Sequence, residues 1–255
     1  MPGDETAPDP VELMRRSELL AALLDGPKTP NELDEETSLS RSTIHRALES
    51  LIDQCVLAET GNAFELTGLG RAVAAEITGC HTTIETAGRL RPLLEEVDTS
   101  AVTFPLEHLA DAEVTYPNRA HAHATTRRIA DLMADADRIR LFAGVISPIY
   151  LDMAYEQVRN GTEVAAIFDR EVVEILFSEY GRDARKAART GCFEVLVYGH
   201  CPFALFICDE TVGIAAHDDD GFLRLFVASD DPDVFQWAES LYERYRDRSE
   251  YATLF

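Results

Sequence analysis

Residues 30–67 read PNELDEETSLSRSTIHRALESLIDQCVLAETGNAFELT, and this stretch decides the fold of the N-terminal part of the chain. Two stretches of helical periodicity are separated by a short polar turn, and two short apolar runs follow them. In chain order, the predicted elements are a helix over Pro30–Glu36, a turn around Thr37–Leu39, a helix that begins at Ser40 and ends near Gln54, strands over Val56–Glu59 and Ala63–Leu66, and a connecting turn at Thr60-Gly61-Asn62. Two helices joined by a turn and followed by a hairpin are typical of a winged helix-turn-helix.

The second predicted helix has one apolar and one polar stripe. The apolar stripe, which we expect to face a core, consists of Ile44, Leu48, Leu51 and Ile52. A helix of this kind fits the major groove of DNA, with its first residues nearest the base edges and its hydroxyls and arginines on phosphates. We therefore predict binding to double-stranded DNA. The predicted contact residues are Lys28, Ser40, Arg41, Ser42, Thr43, His45, Arg46 and Asn62.

One further helix is predicted before this stretch. Val11–Leu24 has leucines at helical spacing, and Gly26-Pro27 follows its end. Lys28 lies in the loop beyond, where it is placed for a phosphate contact. A plainer interpretation stays open for each predicted DNA contact: Ser40 can serve only as a helix N-cap, and the arginines can simply be solvated.

The chain is strongly acidic, with 46 Asp and Glu residues against 23 Lys and Arg and a formal net charge of −23. A DNA-binding protein is expected to carry a basic patch, so this charge needs a separate explanation. Lys28 and Lys186 are the only lysines in the sequence. Excess carboxylate with little lysine is typical of halophilic archaea, in which molar salt screens charges over roughly 3 Å. We therefore expect the acidity to reflect a saline cytoplasm and not the binding partner.

Composition and length favour a two-domain cytoplasmic protein. The 255 residues are enough for two domains, and 46% of them are hydrophobic, as in ordinary globular proteins. The sequence contains no apolar run long enough for a transmembrane helix, and the acidic start MPGDETAPDP has no signal-peptide core. Five cysteines without a Cys-x-x-Cys pair favour a reducing compartment over a disulfide framework.

The predicted domain organisation has four segments. They are a disordered lead-in over residues 1–10, a winged helix-turn-helix over 11–68, a connector or dimerisation helix over 69–97, and an α/β domain over 98–255. The connector helix begins after Thr67, its N-cap. Its apolar positions alternate spacings of four and three, as in a coiled coil, at Val73, Ile77, Cys80, Ile84 and Ala87. Arg91 and Pro92 interrupt this pattern, so a packed connector helix remains the alternative to a dimerisation helix.

Beyond residue 97, strand-like and helix-like runs alternate. The predicted strands are Ala101–Phe104, Glu113–Tyr116, Ile139–Ile146, Glu163–Phe168, Phe193–Tyr198, Ala204–Cys208, Val212–Ala216 and Leu223–Val227. The predicted helices are Arg119–Ala136, Pro148–Arg159, Glu171–Phe177, Ala184–Thr190 and Pro232–Arg246. The order β-α-β-α-β followed by a meander predicts an α/β (α+β) fold with a mixed sheet.

Two stretches of the C-terminal half carry phrases of a known family. Residues 136–176 read ADRIRLFAGVISPIYLDMAYEQVRNGTEVAAIFDREVVEIL, and residues 191–246 read GCFEVLVYGHCPFALFICDETVGIAAHDDDGFLRLFVASDDPDVFQWAESLYERYR. From Val11 to Arg246 the chain resembles archaeal regulators that join a helix-turn-helix to the domain named for the methanogenesis regulatory protein. This group is similar in layout to the TrmB-like sugar-responsive regulators.

The resemblance implies a DNA-binding repressor or activator whose α/β domain senses a metabolite, such as a sugar or a phosphorylated intermediate. It also implies a sheet similar to that of phospholipase D-type enzymes. Those enzymes need a His-x-Lys pair, in which the histidine is the nucleophile and the lysine binds the phosphate. None of the seven histidines is followed two positions on by a lysine. We therefore predict a non-catalytic domain with no cofactor and no metal.

A candidate effector site is predicted from strand ends, because ligands of open α/β sheets bind outside the carboxyl ends of the strands. The residues are Gly144, Ser147 and Tyr150 after the first sensing strand, Asp169 and Arg170 after the next, and His200 after the third. Gly144 permits a close backbone approach, and Ser147 can cap a helix whose free N–H groups suit an anion or hydroxyl. In the alternative interpretation, Ser147 and Asp169 are ordinary helix caps without a ligand.

We favour a metabolite-responsive, sequence-specific transcription regulator without a membrane partner. A homodimer is expected because two symmetric modules bind a pseudo-palindrome more tightly than one. An α/β hydrolase or phosphodiesterase-like enzyme with an accessory winged helix is the alternative, and it requires convergent nucleophile and base residues. A DNA-bound architectural or protein-recruiting factor without a ligand is the third possibility.

Overall fold

The computed structural model describes residues 7–97, 102–121, 123–134 and 136–252. The chain divides into two compact units, Met1–Glu85 and Thr86–Phe255. Most of the predicted disordered lead-in, residues 1–6, lies outside the described residues, as do residues 98–101 at the predicted start of the α/β domain. No helix in the described part of the chain is both long and apolar enough to cross a membrane.

The N-terminal unit contains the helices and the hairpin that the sequence predicts. Its elements are α1 (Pro10–Arg15), α2 (Ser17–Leu24), α3 (Pro30–Glu36), α4 (Arg41–Asp53), β1 (Leu57–Thr60), β2 (Ala63–Leu66) and most of α5 (Gly68–Arg89). The prediction of one helix over Val11–Leu24 is wrong. The backbone departs from helical geometry at Arg16, with φ −109° and ψ 12°, so that two short helices replace one.

Side-chain caps set the starts of the two central helices. Thr29 and Glu32 form a reciprocal capping box before α3, where Pro30 occupies the first helical position. Ser40 caps α4, because its Oγ accepts a hydrogen bond from the Thr43 N–H at 3.3 Å. The helices then pack around an aliphatic core whose largest members are at most 2% exposed, namely Leu19, Leu20, Leu23, Leu33, Ile44, Leu48 and Leu51.

Helix α5 begins directly after the hairpin, and the boundary between the two units falls inside it. Thr67 Oγ1 accepts a hydrogen bond from the Gly70 N–H at 2.9 Å, which is the predicted N-cap. Gly70 has to be a glycine, because a Cβ there would lie 1.9 Å from the Val56 carbonyl oxygen. Close contact between the helix start and the hairpin therefore depends on a missing side chain.

The apolar positions of α5 divide into two groups. Val73 and Ile77 pack against the core of the N-terminal unit. Cys80 and Ile84 are exposed, and Ile84 has 57% of its surface accessible. The first half of the predicted coiled-coil pattern therefore serves packing within the unit, and only its second half is available to a partner.

The C-terminal unit is a mixed sheet with helices on both faces, which confirms the predicted fold class. Its elements after α5 are α6 (Arg91–Glu96), β3 (Glu113–Thr115), α7 (Ala124–Ala134), β4 (Arg138–Ala143), α8 (Pro148–Asn160), β5 (Glu163–Asp169), α9 (Arg170–Glu179), α10 (Gly181–Ala188), β6 (Phe193–Tyr198), β7 (Ala204–Cys208), β8 (Thr211–His217), β9 (Leu223–Ser229), α11 (Pro232–Arg246) and β10 (Glu250–Tyr251). The strand order is β10-β6-β5-β4-β7-β8-β9-β3. Strands β4, β5 and β6 are parallel, and the other neighbours are antiparallel.

Strand alternation gives each face of this sheet its own core. On β4, Phe142 belongs to the cluster that includes α6 and α11. Its neighbours Leu141 and Ala143 belong to the cluster that includes α7, α8, α9 and α10. The sheet is therefore the middle of three layers, and residues next to each other in sequence belong to different layers.

Several predicted elements are corrected. The connector helix predicted over residues 69–97 is interrupted at Leu90, where φ is −91° and ψ is 13°, and the strand predicted over Ile139–Ile146 ends at Ala143. No strand forms over residues 102–104 of the predicted strand Ala101–Phe104, and residue 101 lies outside the described part. There the Trp237 indole N–H donates to the Thr103 carbonyl at 2.9 Å, so a side chain provides the bond that a strand neighbour would make. The helix predicted over Arg119–Ala136 begins only at Ala124, because the Asn118 side chain closes a turn before it.

Candidate functional sites

The polar stripe of α4 faces away from the core of the N-terminal unit. Arg41, Ser42, His45 and Arg46 are exposed, and Thr43 is half-buried. At the start of the helix, the Ser40 hydroxyl lies 3.1 Å from the Ser42 hydroxyl and 2.8 Å from that of Thr43. Three hydroxyls and two arginines therefore lie at the N-cap and within the first two turns of α4.

Two of the three predicted basic contacts are already paired with carboxylates of the same unit. Arg41 Nε donates to Asp34 Oδ2 at 2.8 Å, although the Arg41 side chain is 76% exposed. Lys28 Nζ lies 2.8 Å from the Glu36 carboxylate, and this hydrogen bond raises the pKa of Lys28 above its ordinary value. Arg46 makes no ion pair with any described residue and is the free cation of α4.

The hairpin presents Asn62 at its tip. Gly61 and Asn62 connect β1 to β2, whose end residues Thr60 and Ala63 pair directly. Gly61 has φ +68°, which suits a glycine at the first central position of a two-residue hairpin turn. The backbone of Lys28 also pairs with Phe64 of β2. This pairing holds Lys28 beside the hairpin. The predicted phosphate contact of Lys28 needs such a position next to α4.

In the C-terminal unit, three of the predicted effector residues come together. A Cβ at Gly144 would lie 3.1 Å from Asp169 Oδ2 and 2.8 Å from the Cys201 carbonyl oxygen. The other Asp169 oxygen accepts a hydrogen bond from the Cys201 N–H at 2.6 Å, and His200 Nδ1 lies 3.5 Å from Asp169 Oδ2. Cys201, which was not among the predicted site residues, is buried, and burial raises the pKa of its thiol.

The other predicted effector residues lie elsewhere. Ser147 precedes α8 but makes no side-chain capping hydrogen bond. Tyr150 packs against the core beneath α8, on the sheet face opposite to Cys201. Arg170 is exposed at the start of α9 and has no ion pair within the described ranges. The structure therefore divides the predicted site into a cluster around Asp169 and a separate set around Tyr150.

A cavity of about 40 Å³ lies beside Tyr150, between α8 and the sheet. Ser147, Tyr150 and His217 are the polar members of a lining that is otherwise aliphatic and aromatic. Burial lowers the pKa of His217 to about 4, so the ring is neutral near pH 7. Burial also raises the pKa of Tyr150. His217 was not among the predicted site residues. The signal for it in the sequence is that a histidine directly follows the apolar run of β8.

A cluster of His108, Asp231 and Asp233 also brings three possible metal ligands within 4.8 Å of one another. Asp231 is the N-cap of α11, and its Oδ1 accepts hydrogen bonds from two backbone N–H groups at 2.8 and 3.1 Å. The capping role explains the position of this carboxylate without an ion.

The chain consists of a helix-turn-helix unit with a hairpin, followed by an α/β unit. Residues 4–89 match the family model of the HVO_A0261 N-terminal domain. Residues 122–248 match the model of the methanogenesis regulatory protein FilR1, middle domain. The two matched domains follow one another in the order that the sequence resemblance implied, the first over residues 4–89 and the second over residues 122–248.

Among solved structures, three that are similar to this chain are 16% identical to it or less. TrmBL2, described as an archaeal chromatin protein with a novel mode of DNA binding, is 16% identical over 93% of each chain, with a TM-score of 0.44. Nuc from Salmonella typhimurium, a phospholipase D family member, is 13% identical over 56% of this chain and 97% of its own, with a TM-score of 0.45. NucT from Helicobacter pylori is 11% identical over 56% of this chain and 99% of its own, also with a TM-score of 0.45. No curated protein matches the sequence.

Proposed function

We propose that this chain is a sequence-specific, DNA-binding transcription regulator of the cytoplasm that binds operator DNA as a homodimer and responds to a small molecule. The observation that carries this proposal is the orientation of α4. Its apolar residues are buried and its polar residues, including Arg41 and Arg46, are exposed. The match of residues 122–248 to a domain of a methanogenesis regulatory protein supports the same function.

In this proposal α4 is the recognition helix. Helices of this kind enter the major groove with their N-terminal residues nearest the bases. Ser42 and Arg46 would then face base edges or phosphates, and the Ser40 hydroxyl would lie near the backbone of the duplex. Asn62 at the hairpin tip and Lys28 beside the hairpin would contact the flanking backbone.

The ion pairs of the N-terminal unit limit the positive charge that is available to DNA phosphates. Arg41 would have to exchange Asp34 for a phosphate, and Lys28 would have to exchange Glu36. Only Arg46 is available without such an exchange among the three predicted cations. Binding would therefore depend on direct contacts at short range, which suits a halophilic cell in which salt screens long-range attraction.

A homodimer would place two copies of α4 on the two halves of a pseudo-palindromic operator. The exposed residues Cys80 and Ile84 of α5 supply an apolar surface for pairing two copies. A small molecule that binds one conformation of the C-terminal unit better than another would change the population competent for DNA binding. This unit acts as a sensor without catalysis in the proposal.

Fluorescence anisotropy with a duplex selected from a random-sequence library, in molar KCl, tests the DNA-binding role. We expect Arg41→Ala/Arg46→Ala to weaken binding about 100-fold, because each arginine contact contributes about 1–3 kcal/mol. Arg182→Ala/Arg189→Ala is the matched control, since it removes two exposed arginines from the C-terminal unit. Equal affinities of the two double variants would remove α4 from the interface.

A further inference from the structure

The cavity beneath α8 is lined, among the described residues, by uncharged side chains alone. No described aspartate, glutamate, lysine or arginine lines it. Leu141, Ala166 and Phe206 of the sheet are typical of its walls. Ser147, Tyr150 and His217 are the polar residues of the lining, and burial lowers the pKa of His217 to about 4, so its ring is neutral near pH 7.

The cavity also reaches the edge of the sheet where ligands of α/β folds bind. Strand β7 is antiparallel to both β4 and β8, so β4 and β8 run in the same direction. Their last residues, Ala143 and His217, therefore end at one edge, and both line the cavity.

We propose that this cavity is the effector site, and that its ligand is a small uncharged molecule with a short apolar body and one hydrogen-bonding group. The inference rests on the sensing role proposed above, and it changes the expected ligand from a sugar or phosphorylated intermediate to an apolar one. A phosphate would need arginine or lysine partners that the walls do not provide. A sugar would bury many hydroxyls against walls that can pair with few of them.

The volume limits the size of the ligand. A cavity of about 40 Å³ limits the ligand to a few non-hydrogen atoms. The neutral ring of His217 and the Tyr150 hydroxyl can each donate or accept a hydrogen bond, so either is a partner for an amide, alcohol or carbonyl group.

The cluster around Asp169 is a poorer ligand site than the cavity. Asp169 already accepts the Cys201 N–H and lies beside His200. Even a methyl group at Gly144 would be 2.8 Å from the Cys201 carbonyl oxygen, so the space between these groups is filled. This cluster closes the loops after β4, β5 and β6 onto one another, which is a structural role.

The test compares butyramide with butyrate, because the two have nearly the same shape and differ in charge. Binding to the full chain is followed by methyl NMR shifts of the cavity residues in molar KCl. We expect butyramide to bind at least tenfold more tightly than butyrate and to shift the methyl signals of Leu141, Ala143 and Ala166. Equal binding of the two, or no binding of butyramide, would overturn the proposal.

Two variants and a control locate the binding. Ala166→Val fills the cavity and should abolish butyramide binding, whereas Ala120→Val at an exposed position should leave it unchanged. Tyr150→Phe removes a single hydroxyl and should weaken binding about fivefold, which gives a second test should Ala166→Val fail to fold. Butyramide binding that survives in both folded variants would contradict the site.

Anisotropy with the selected duplex separates this inference from the proposed function. Wild-type chain that binds DNA but not butyramide would refute the cavity inference alone. Wild-type chain that binds butyramide in the cavity but no DNA would refute the regulatory function and leave the ligand site standing.

Discussion

The two candidate sites differ in where the chain places its polar groups. In the N-terminal unit, the polar residues of α4 point outward from a leucine core and meet solvent directly. In the C-terminal unit, Tyr150 and His217 line a cavity between a sheet and a helix, away from most charged groups. The first arrangement suits a large charged partner, and the second suits a small neutral one. Charge is therefore informative about function only for the surface site.

The largest expected effect separates the two stripes of α4. Leu51 is fully buried, and Leu51→Ala should lower the free energy of unfolding by about 3 kcal/mol, because it leaves a cavity in the core. Glu49→Ala, on the exposed stripe of the same helix, should change it by less than about 0.5 kcal/mol. Amide hydrogen exchange of α4 measures both values. Similar losses in the two variants would mean that the outward stripe is also packed.

A medium effect tests the interior site through pH. Burial holds the pKa of His217 near 4, below the value of about 6.5 expected for the unfolded chain. Between these values the unfolded chain binds the additional proton, so stability is present above about pH 6.5 and is lost as the pH falls through about 4. We expect the free energy of unfolding to change by about 2 kcal/mol across this pH range. A fully buried ring would give a larger change, but the ring of His217 is only partly buried.

Urea denaturation at a series of pH values, compared between wild type and His217→Gln, measures that contribution as the difference in slope. His123→Gln is the control, because His123 is an exposed histidine of the same unit. If the unfolding free energy of wild type and of His217→Gln depended on pH in the same way, the His217 ring would be solvated. The contrast between the exposed site on α4 and the interior cavity would then be wrong.

The smallest expected effect concerns the carboxylate that competes for Arg41. Asp34→Asn removes the ion pair and one negative charge beside α4, and should raise DNA affinity about threefold. Glu171→Asn, at an exposed position of the C-terminal unit, is the control for the change in net charge. Anisotropy in molar KCl measures both. A loss of affinity in Asp34→Asn would instead assign Asp34 a role in orienting Arg41.

Much of the fold follows from local sequence signals. The helices α3 and α11 have the predicted bounds because each begins with a proline after a side-chain cap, Thr29 and Asp231 respectively. Strands β6 and β7 also have the predicted bounds. The two-residue strand β10 was missed, since so short a segment has no periodicity and depends on its partner β6.

The exposed stripe of α4 was easier to predict than the grouping of the strand-end residues, for a geometric reason. A helical period of 3.6 residues identifies which side chains of α4 are exposed, without reference to any other element. Strand ends have no such rule, because successive residues point to opposite faces of the sheet. Gly144 and Tyr150 are six positions apart in sequence and contribute to different faces, which only the register of the sheet determines.

Helix α5 has a practical consequence for taking the molecule apart. A protease binds its substrate as an extended strand, and a flexible linker between two units is ordinarily cut for this reason. In this chain the residues from Gly68 to Arg89 form a helix instead of a linker. Limited digestion should therefore spare the boundary between Glu85 and Thr86. A separately produced N-terminal fragment that ends at Glu85 would also lose the last turn of this helix, residues 86–89.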